Sequence, residues 1–279
     1  MRIANLRDRL VLVVDDRALD VESASGGLFS SDPQAIYPRW QEFGEWAASA
    51  DISRAQDFDL ADLRAPVPAP AQIFGIGLNY RDHAAEAGLD LPTSPPVFTK
   101  FVSSLTGPSG DIALPGLTVD WEVELVAVIG RPARNVPTSQ GWEHIAGLTA
   151  GQDLSERTVQ LEGPAPQFSL GKSFPGFGPT GPWIVTPEEF SNRDDIALSC
   201  GVNGESMQKG RTSDLIFSVP ELVARLSAVL LLLPGDLIFT GTPAGVGGAR
   251  NPKRFLTDGD ELTTTIEGIG TMRHRLVAA

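Results

Sequence analysis

Apolar and polar positions alternate from the start of the chain. Residues 10–14 (LVLVV) form a β-rich run, Asp15-Asp16 supplies a turn, and residues 18–21 alternate again, which predicts a small meander. Residues 32–51 hold a helical candidate carrying Trp40, Phe43 and Trp46. The stretch RAPVPAPAQ (residues 64–72) has three prolines in nine residues and reads as a semi-rigid linker. A boundary near residue 67 follows, with a small N-terminal domain over 1–67 and the main domain over 68–279. Beyond it the chain reads as short strands broken by Gly and Pro, without an internal repeat.

One later helix stands out. Ser218 and Glu221 form a capping box, and Leu222, Leu226, Val229, Leu230 and Leu233 follow a helical period. Pro234-Gly235 should end it, and a strand over 236–240 should follow. The fold class predicted from these elements is mixed α/β and β-rich.

Composition narrows the partners. With 42% hydrophobic residues, 279 residues can bury a sizeable core. The 22 basic and 35 acidic side chains give a net charge of −13, which argues against nucleic acid or an anionic membrane surface as the principal partner. Cys200 is the only cysteine, so neither an internal disulfide nor a zinc site with several Cys ligands can form. The opening residues carry Arg2, Arg7, Asp8 and Arg9 rather than the apolar core of a signal peptide, and the apolar run at 226–233 is too short to cross a bilayer. A cytoplasmic protein with no membrane span is expected.

Several familiar motifs fail. Gly75-x-Gly77 would need a third glycine where Tyr80 stands, and Gly171-Lys172-Ser173 lacks the upstream glycine of a phosphate loop, Pro166 standing there. Two S-x-x-K matches, Ser169/Lys172 and Ser206/Lys209, come without K-T-G. His83, His144 and His274 lie too far apart for a local zinc motif.

The informative stretch is VDWEVE (residues 119–124), which runs into LVAVI. Read as a strand, it puts Asp120, Glu122 and Glu124 on one face of an element whose apolar continuation predicts burial. Either this face is a solvated edge or a bound cation offsets the repulsion, and oxygen-only donors point to Mg²⁺, Mn²⁺ or Ca²⁺. Asp153, just after the mostly apolar 145–150, is a third candidate donor, with a strand-ending Asx turn as the other reading.

Six segments together resemble the fumarylacetoacetate hydrolase family, in its order: IGLNYRDHAAEAG (76–88), DWEVELVAVIG (120–130), GQDLSERTVQ (151–160), GKSF (171–174), VNGESMQKGRTSDLIF (202–217) and LLPGDLIFTGTPAGVG (232–247). The resemblance implies a β-roll catalytic domain over 68–279, preceded by a small β-containing domain, in a homodimer. It implies that Glu122, Glu124 and Asp153 hold Mg²⁺ or Mn²⁺, with Asp120 outside the ligand set. It also implies a mobile lid in which His83 acts as base and Glu86 orients it, with Lys172 as a catalytic cation. Arg157, Gln160, Thr242 and Tyr80 would contact a small 2-oxo or β-diketo acid. Two departures bear on the substrate: residues 161–170 (LEGPAPQFSL) replace the Gly-Gln-Trp segment of many members, and Leu78 stands where many carry arginine.

The implied reaction is hydrolysis of a carbon–carbon bond in an acylpyruvate or fumarylpyruvate. The alternatives are a decarboxylase or keto–enol isomerase acting on a 2-oxo acid such as oxaloacetate, and a non-catalytic metal-binding member. On this reading Glu122→Ala abolishes metal-dependent activity while leaving a folded protein.

Overall fold

A computed structural model describes residues 1–279. The chain opens on two tight hairpins, β1 (Arg2–Leu6) to β2 (Arg9–Val14) and β2 to β3 (Arg17–Asp20). Their two-residue loops are Arg7-Asp8 and Asp15-Asp16, and all four residues have positive φ, between 47° and 63°. That is the backbone a two-residue loop needs to match strand twist. The predicted meander is present, with β1 as a strand the hydrophobic pattern had not indicated. Helix α1 (Trp40–Ala47) is the predicted aromatic helix and buries Phe43 edge-on against Phe29, at 5.3 Å between ring centroids.

The other principal elements are β4 (Ile73–Ile76), α2 (Arg81–Glu86), β5 (Ser109–Leu114), β6 (Val123–Ile129), β7 (Ile145–Gln152), β8 (Gly178–Val185), β9 (Ala197–Val202), β10 (Glu205–Arg211), α3 (Val219–Val229), β11 (Leu237–Phe239), β12 (Glu261–Ile266) and β13 (Gly270–Ala278). A 12-stranded sheet runs β3-β2-β1-β8-β7-β6-β11-β4, with short strands at its margins. A five-stranded sheet runs β10-β9-β12-β13-β5. The strands of residues 1–64 thus continue the large sheet, because β1 pairs antiparallel with β8 (Arg2↔Val185). The proline-rich stretch packs instead of swinging free: Leu63–Arg64 pairs with β1, Val67 is buried, and the Tyr37 hydroxyl donates to the Pro66 carbonyl.

Strand β6 is the spine. Leu125, Ala127 and Ile129 face the five-stranded sheet and share a core with Leu198, Val202, Leu262 and Met272. Val126 and Val128 face the other way, into a second core with Ile3, Leu12, Phe43 and Ile184. Burial on both faces explains why LVAVI is continuously apolar rather than alternating.

Helix α3 is shorter than predicted. It ends at Val229, and Leu230 is already extended (φ −134°, ψ 167°). Leu232 is buried through an antiparallel bridge to Ala133 instead of a helical face. Ser218 occupies the N-cap without a side-chain cap bond, and Glu221 accepts from Arg225. The predicted capping box is therefore not formed.

His274 on β13 is buried, with Nε2 donating to the Gly107 carbonyl at 2.9 Å and Nδ1 unpartnered. Burial pushes its pKa down. As pH falls through the ordinary histidine value of about 6.5, the unfolded chain takes the proton first, so stability is present above that pH and lost below it. His274→Gln keeps a donor for Gly107 and should flatten the loss in urea-unfolding free energy between about pH 7 and pH 5. An unchanged slope would remove His274 as its source.

Candidate active site

The register of β6 on β7 builds the acidic centre. Val123 pairs with Gln152 and Glu124 with Gly151, and the ladder extends one bond further as the Asp153 N–H donates to the Glu122 carbonyl at 2.9 Å. Glu122 and Glu124, two residues apart, thereby meet Asp153 from the neighbouring strand end. One oxygen from each lies within 4.8 Å of the others, and all three residues are buried.

Asp120 does not share their position, because the strand breaks at Trp121 and Glu122. The Trp121 N–H donates to Asp120 Oδ1, and the Glu122 N–H donates to the Gln152 side chain. Asp120 instead accepts from Arg157 Nε and Nη2 and from the N–H groups of Gly247 and Gly248. A Cβ on Gly247 would sit 1.9 Å from the Arg254 carbonyl oxygen, so only glycine allows the 247–255 loop to close over Asp120.

Two buried lysines and the half-buried Arg157 face these acids. Lys172 Nζ donates to Glu122 at 2.9 Å, to Asp153 Oδ2 at 2.6 Å and to Ser155 Oγ at 2.8 Å. Arg157 bridges Asp120 and Glu122, at 2.7 Å each, and donates to Gln160 Oε1 at 2.8 Å. Lys100, absent from the sequence-based candidates, holds Asp153 Oδ1 at 2.6 Å and donates to the Lys172 carbonyl. Lysine is scarce in this chain, at four residues, and a lone lysine after the edge strand Val97–Thr99 was the one available sign.

Burial disfavours the Glu122 anion, but Lys172 and Arg157 outweigh it and hold the carboxyl down at about 2. Glu124 has no such partner. Burial, with Asp153 and Glu122 beside it, pushes its carboxyl well above the usual range, and its one bond is from the Gly241 N–H at 2.8 Å. Three oxygen donors, one of them lacking a countercharge, fit a hard divalent cation.

A cavity of about 570 Å³ opens onto this centre. His83, Glu86, Glu122, Glu124, Arg157, Gln160, Lys172 and Thr242 all line it. His83 and Glu86 lie one turn apart on α2, with Nδ1 3.3 Å from Glu86 Oε2. The Gly245 N–H fixes Glu86, at 3.0 and 3.1 Å to its two oxygens. His83 also contributes to the field on Glu122.

The Thr242 hydroxyl donates to the Val123 carbonyl and accepts from Gln208, both at 2.8 Å. Gln208 further accepts from the Val123 N–H, a brace the motifs had not singled out. Tyr80 lies off the cavity wall. It is fully buried at the start of α2, and its hydroxyl has no partner.

Comparisons with known proteins agree with this architecture. Residues 72–277 match the family model described as fumarylacetoacetate (FAA) hydrolase C-terminal. The human mitochondrial oxaloacetate tautomerase FAHD2A is 39% identical over 215 residues, 76% of this chain and 68% of its own. A 2,4-didehydro-3-deoxy-L-rhamnonate hydrolase from Sphingomonas sp. (strain SKA58) is 42% identical over 214 residues, 76% of this chain and 75% of its own. The structure of a maleylpyruvate hydrolase from Sphingobium sp. SYK-6, in complex with manganese(II) ion and pyruvate, matches with a TM-score of 0.82 at 28% identity, covering 100% of both chains. A family model over most of the chain, and relatives near 40% identity over three quarters of it, establish that this chain belongs to the fumarylacetoacetate hydrolase family.

Proposed function

We propose that the chain hydrolyses a carbon–carbon bond in a β-diketo acid of the acylpyruvate or fumarylpyruvate type, with Mg²⁺ or Mn²⁺ as cofactor. The observation that carries this reading is the His83–Glu86 pair, held by Gly245 on the same cavity as the acidic centre. A divalent cation held by Glu122, Glu124 and Asp153 would act as a Lewis acid on the 2-oxo acid end and accept the negative charge developing there.

The protein groups do the rest. His83 Nδ1 faces Glu86, which leaves Nε2 free to take a proton from water. Glu86 holds the tautomer and steadies the imidazolium. The resulting hydroxide adds to the distal carbonyl, where the Gln160 amide donates to the oxyanion and the charge of Lys172, whose own N–H groups are engaged, stabilises it through space. The bond between that carbon and C3 then breaks, and C3 takes the proton from His83. The products are a carboxylic acid and pyruvate.

A second reading, tautomerisation of oxaloacetate, is favoured by the 39% identity to the human tautomerase. There His83 would carry the proton between C3 and the enol oxygen. Incubation with acylpyruvates, fumarylpyruvate and oxaloacetate plus Mg²⁺ or Mn²⁺ separates the readings. Pyruvate and a new carboxylic acid are expected. Faster keto–enol exchange of oxaloacetate with no cleavage of any acylpyruvate would reverse the order, and CO₂ release would mark decarboxylation.

A further inference from the structure

The loop that follows β11, residues 240–248 (TGTPAGVGG), holds three carboxylates of the site through its backbone. The Gly241 N–H bonds Glu124, the Gly245 N–H bonds Glu86, and the N–H groups of Gly247 and Gly248 bond Asp120. One short segment thus ties an acid of the candidate metal centre to the carboxylate that faces His83. Side chains held in this way are placed only as firmly as the backbone that holds them.

Two anchors fix that backbone. At its start, the Thr240 N–H and hydroxyl both donate to the Leu125 carbonyl, and Asn79 Nδ2 donates to the Thr240 carbonyl at 2.7 Å. In its middle the anchor is Gln208, which arrives on β10 from the five-stranded sheet. Gln208 Nε2 donates to Thr242 Oγ1 at 2.8 Å and to the Pro243 carbonyl at 2.7 Å. Its Oε1 accepts from the Val123 N–H at 3.0 Å, between Glu122 and Glu124. A single amide, with two donors and an acceptor in use, therefore joins the loop to β6. The contact is close: a Cβ on Gly245, at φ +106°, would lie 2.3 Å from the carbonyl oxygen of Met207, the neighbour of Gln208. Gln208 itself is buried and lies off the cavity wall.

We infer that Gln208 is a positioning residue, which sets the spacing between the acidic centre and the His83–Glu86 pair by locking the 240–248 loop to β6. This rests on the proposed function for the roles of those two groups, and it holds for hydrolysis and tautomerisation alike. Both need a bound cation and a base at a fixed separation, and small misplacements of reacting groups are costly.

The test begins with Mn²⁺ alone, titrated into the full chain, and with amide hydrogen exchange over residues 240–248. Gln208→Met fills similar space without the amide. It should weaken Mn²⁺ binding by roughly 10–100-fold, the scale of losing an outer-shell partner, and should speed exchange in the loop. Thr242→Val removes the other end of one bond and should weaken Mn²⁺ in the same direction, with the double variant little worse than Gln208→Met. Thr212→Val is the control: it loses a buried bond from the Ile196 N–H, away from the loop, and should leave both readings at the wild-type value. Wild-type Mn²⁺ affinity in Gln208→Met, unchanged exchange, an equal loss in Thr212→Val, or a wild type that binds no Mn²⁺ overturns the inference. Should Gln208→Met not fold, Thr242→Val decides alone, and wild-type affinity there overturns it.

Turnover is read separately, on whichever of an acylpyruvate or oxaloacetate the wild type converts. At saturating Mn²⁺, Gln208→Met should lower kcat by about tenfold or more with KM little changed. An unchanged kcat overturns the spacing role. A wild type that converts neither compound defeats the proposed function, and the Mn²⁺ and exchange results still decide the role of Gln208.

Discussion

His83→Ala is expected to lower carbon–carbon bond hydrolysis by about 10²–10⁴-fold, the usual worth of a general base. The substitution sits on α2, outside both cores, so the fold should be intact. Any decarboxylation of oxaloacetate should fall much less, because it needs an acceptor for negative charge more than it needs an activated water. Glu86→Gln should act in the same direction with smaller size, since its amide oxygen still accepts from Gly245 but supports an imidazolium less well. Steady-state rates on an acylpyruvate and on oxaloacetate, measured side by side, check this. A near-normal hydrolytic rate in His83→Ala would mean that another group activates water.

Glu124→Gln should abolish Mn²⁺ binding yet leave the chain at least as stable as before. Its carboxyl is already pushed toward the neutral form, and an amide can keep the bond from Gly241. Removing a direct donor should cost more than the roughly 10–100-fold lost with an outer-shell partner. Glu122→Ala is the contrasting case and corrects the sequence-based expectation of a folded, merely inactive variant. Glu122 compensates Lys172 and Arg157, so its loss leaves two cations underpaired in the interior and should cost about 3–5 kcal/mol of stability. Mn²⁺ titration and metal-free thermal unfolding of both variants decide the matter. Wild-type Mn²⁺ affinity in Glu124→Gln would remove it from the ligand set.

Much of this site was legible in the sequence, and the reasons differ by residue. Strand period and a continuous apolar run put Glu122 and Glu124 on one buried face, and the resemblance to the family added Asp153 to them. The position of Asp120 could not be read this way. The break at Trp121 depends on Gln152 and on the 247–255 loop, which arrive from far along the chain. Lys100 was missed for a related reason: beyond the scarcity of lysine nothing local marks it as buried, and its partners Asp153 and Lys172 are 53 and 72 residues away. Helix α3 shows the opposite failure. Its periodicity took in Val229, Leu230 and Leu233, but the helix ends at an exposed Val229, and the leucine that is buried beyond it, Leu232, lies off that period and is held by a bridge to Ala133.

The pairing of β1 with β8 has a consequence for how the protein is made. Residues 2–6 emerge from the ribosome well before their partner Ile184–Val185, which is translated about 180 residues later. At roughly 5–20 residues per second, that leaves on the order of 10–40 s in which the opening hairpins exist without their neighbour. Ile3, Leu10 and Leu12, whose core is completed by Val126 and Ile184, have only their near neighbours such as Phe29 and Phe43 for that interval. That early segment is therefore sealed on this side only late, and its apolar face needs shielding by a chaperone or by transient contacts until β8 arrives.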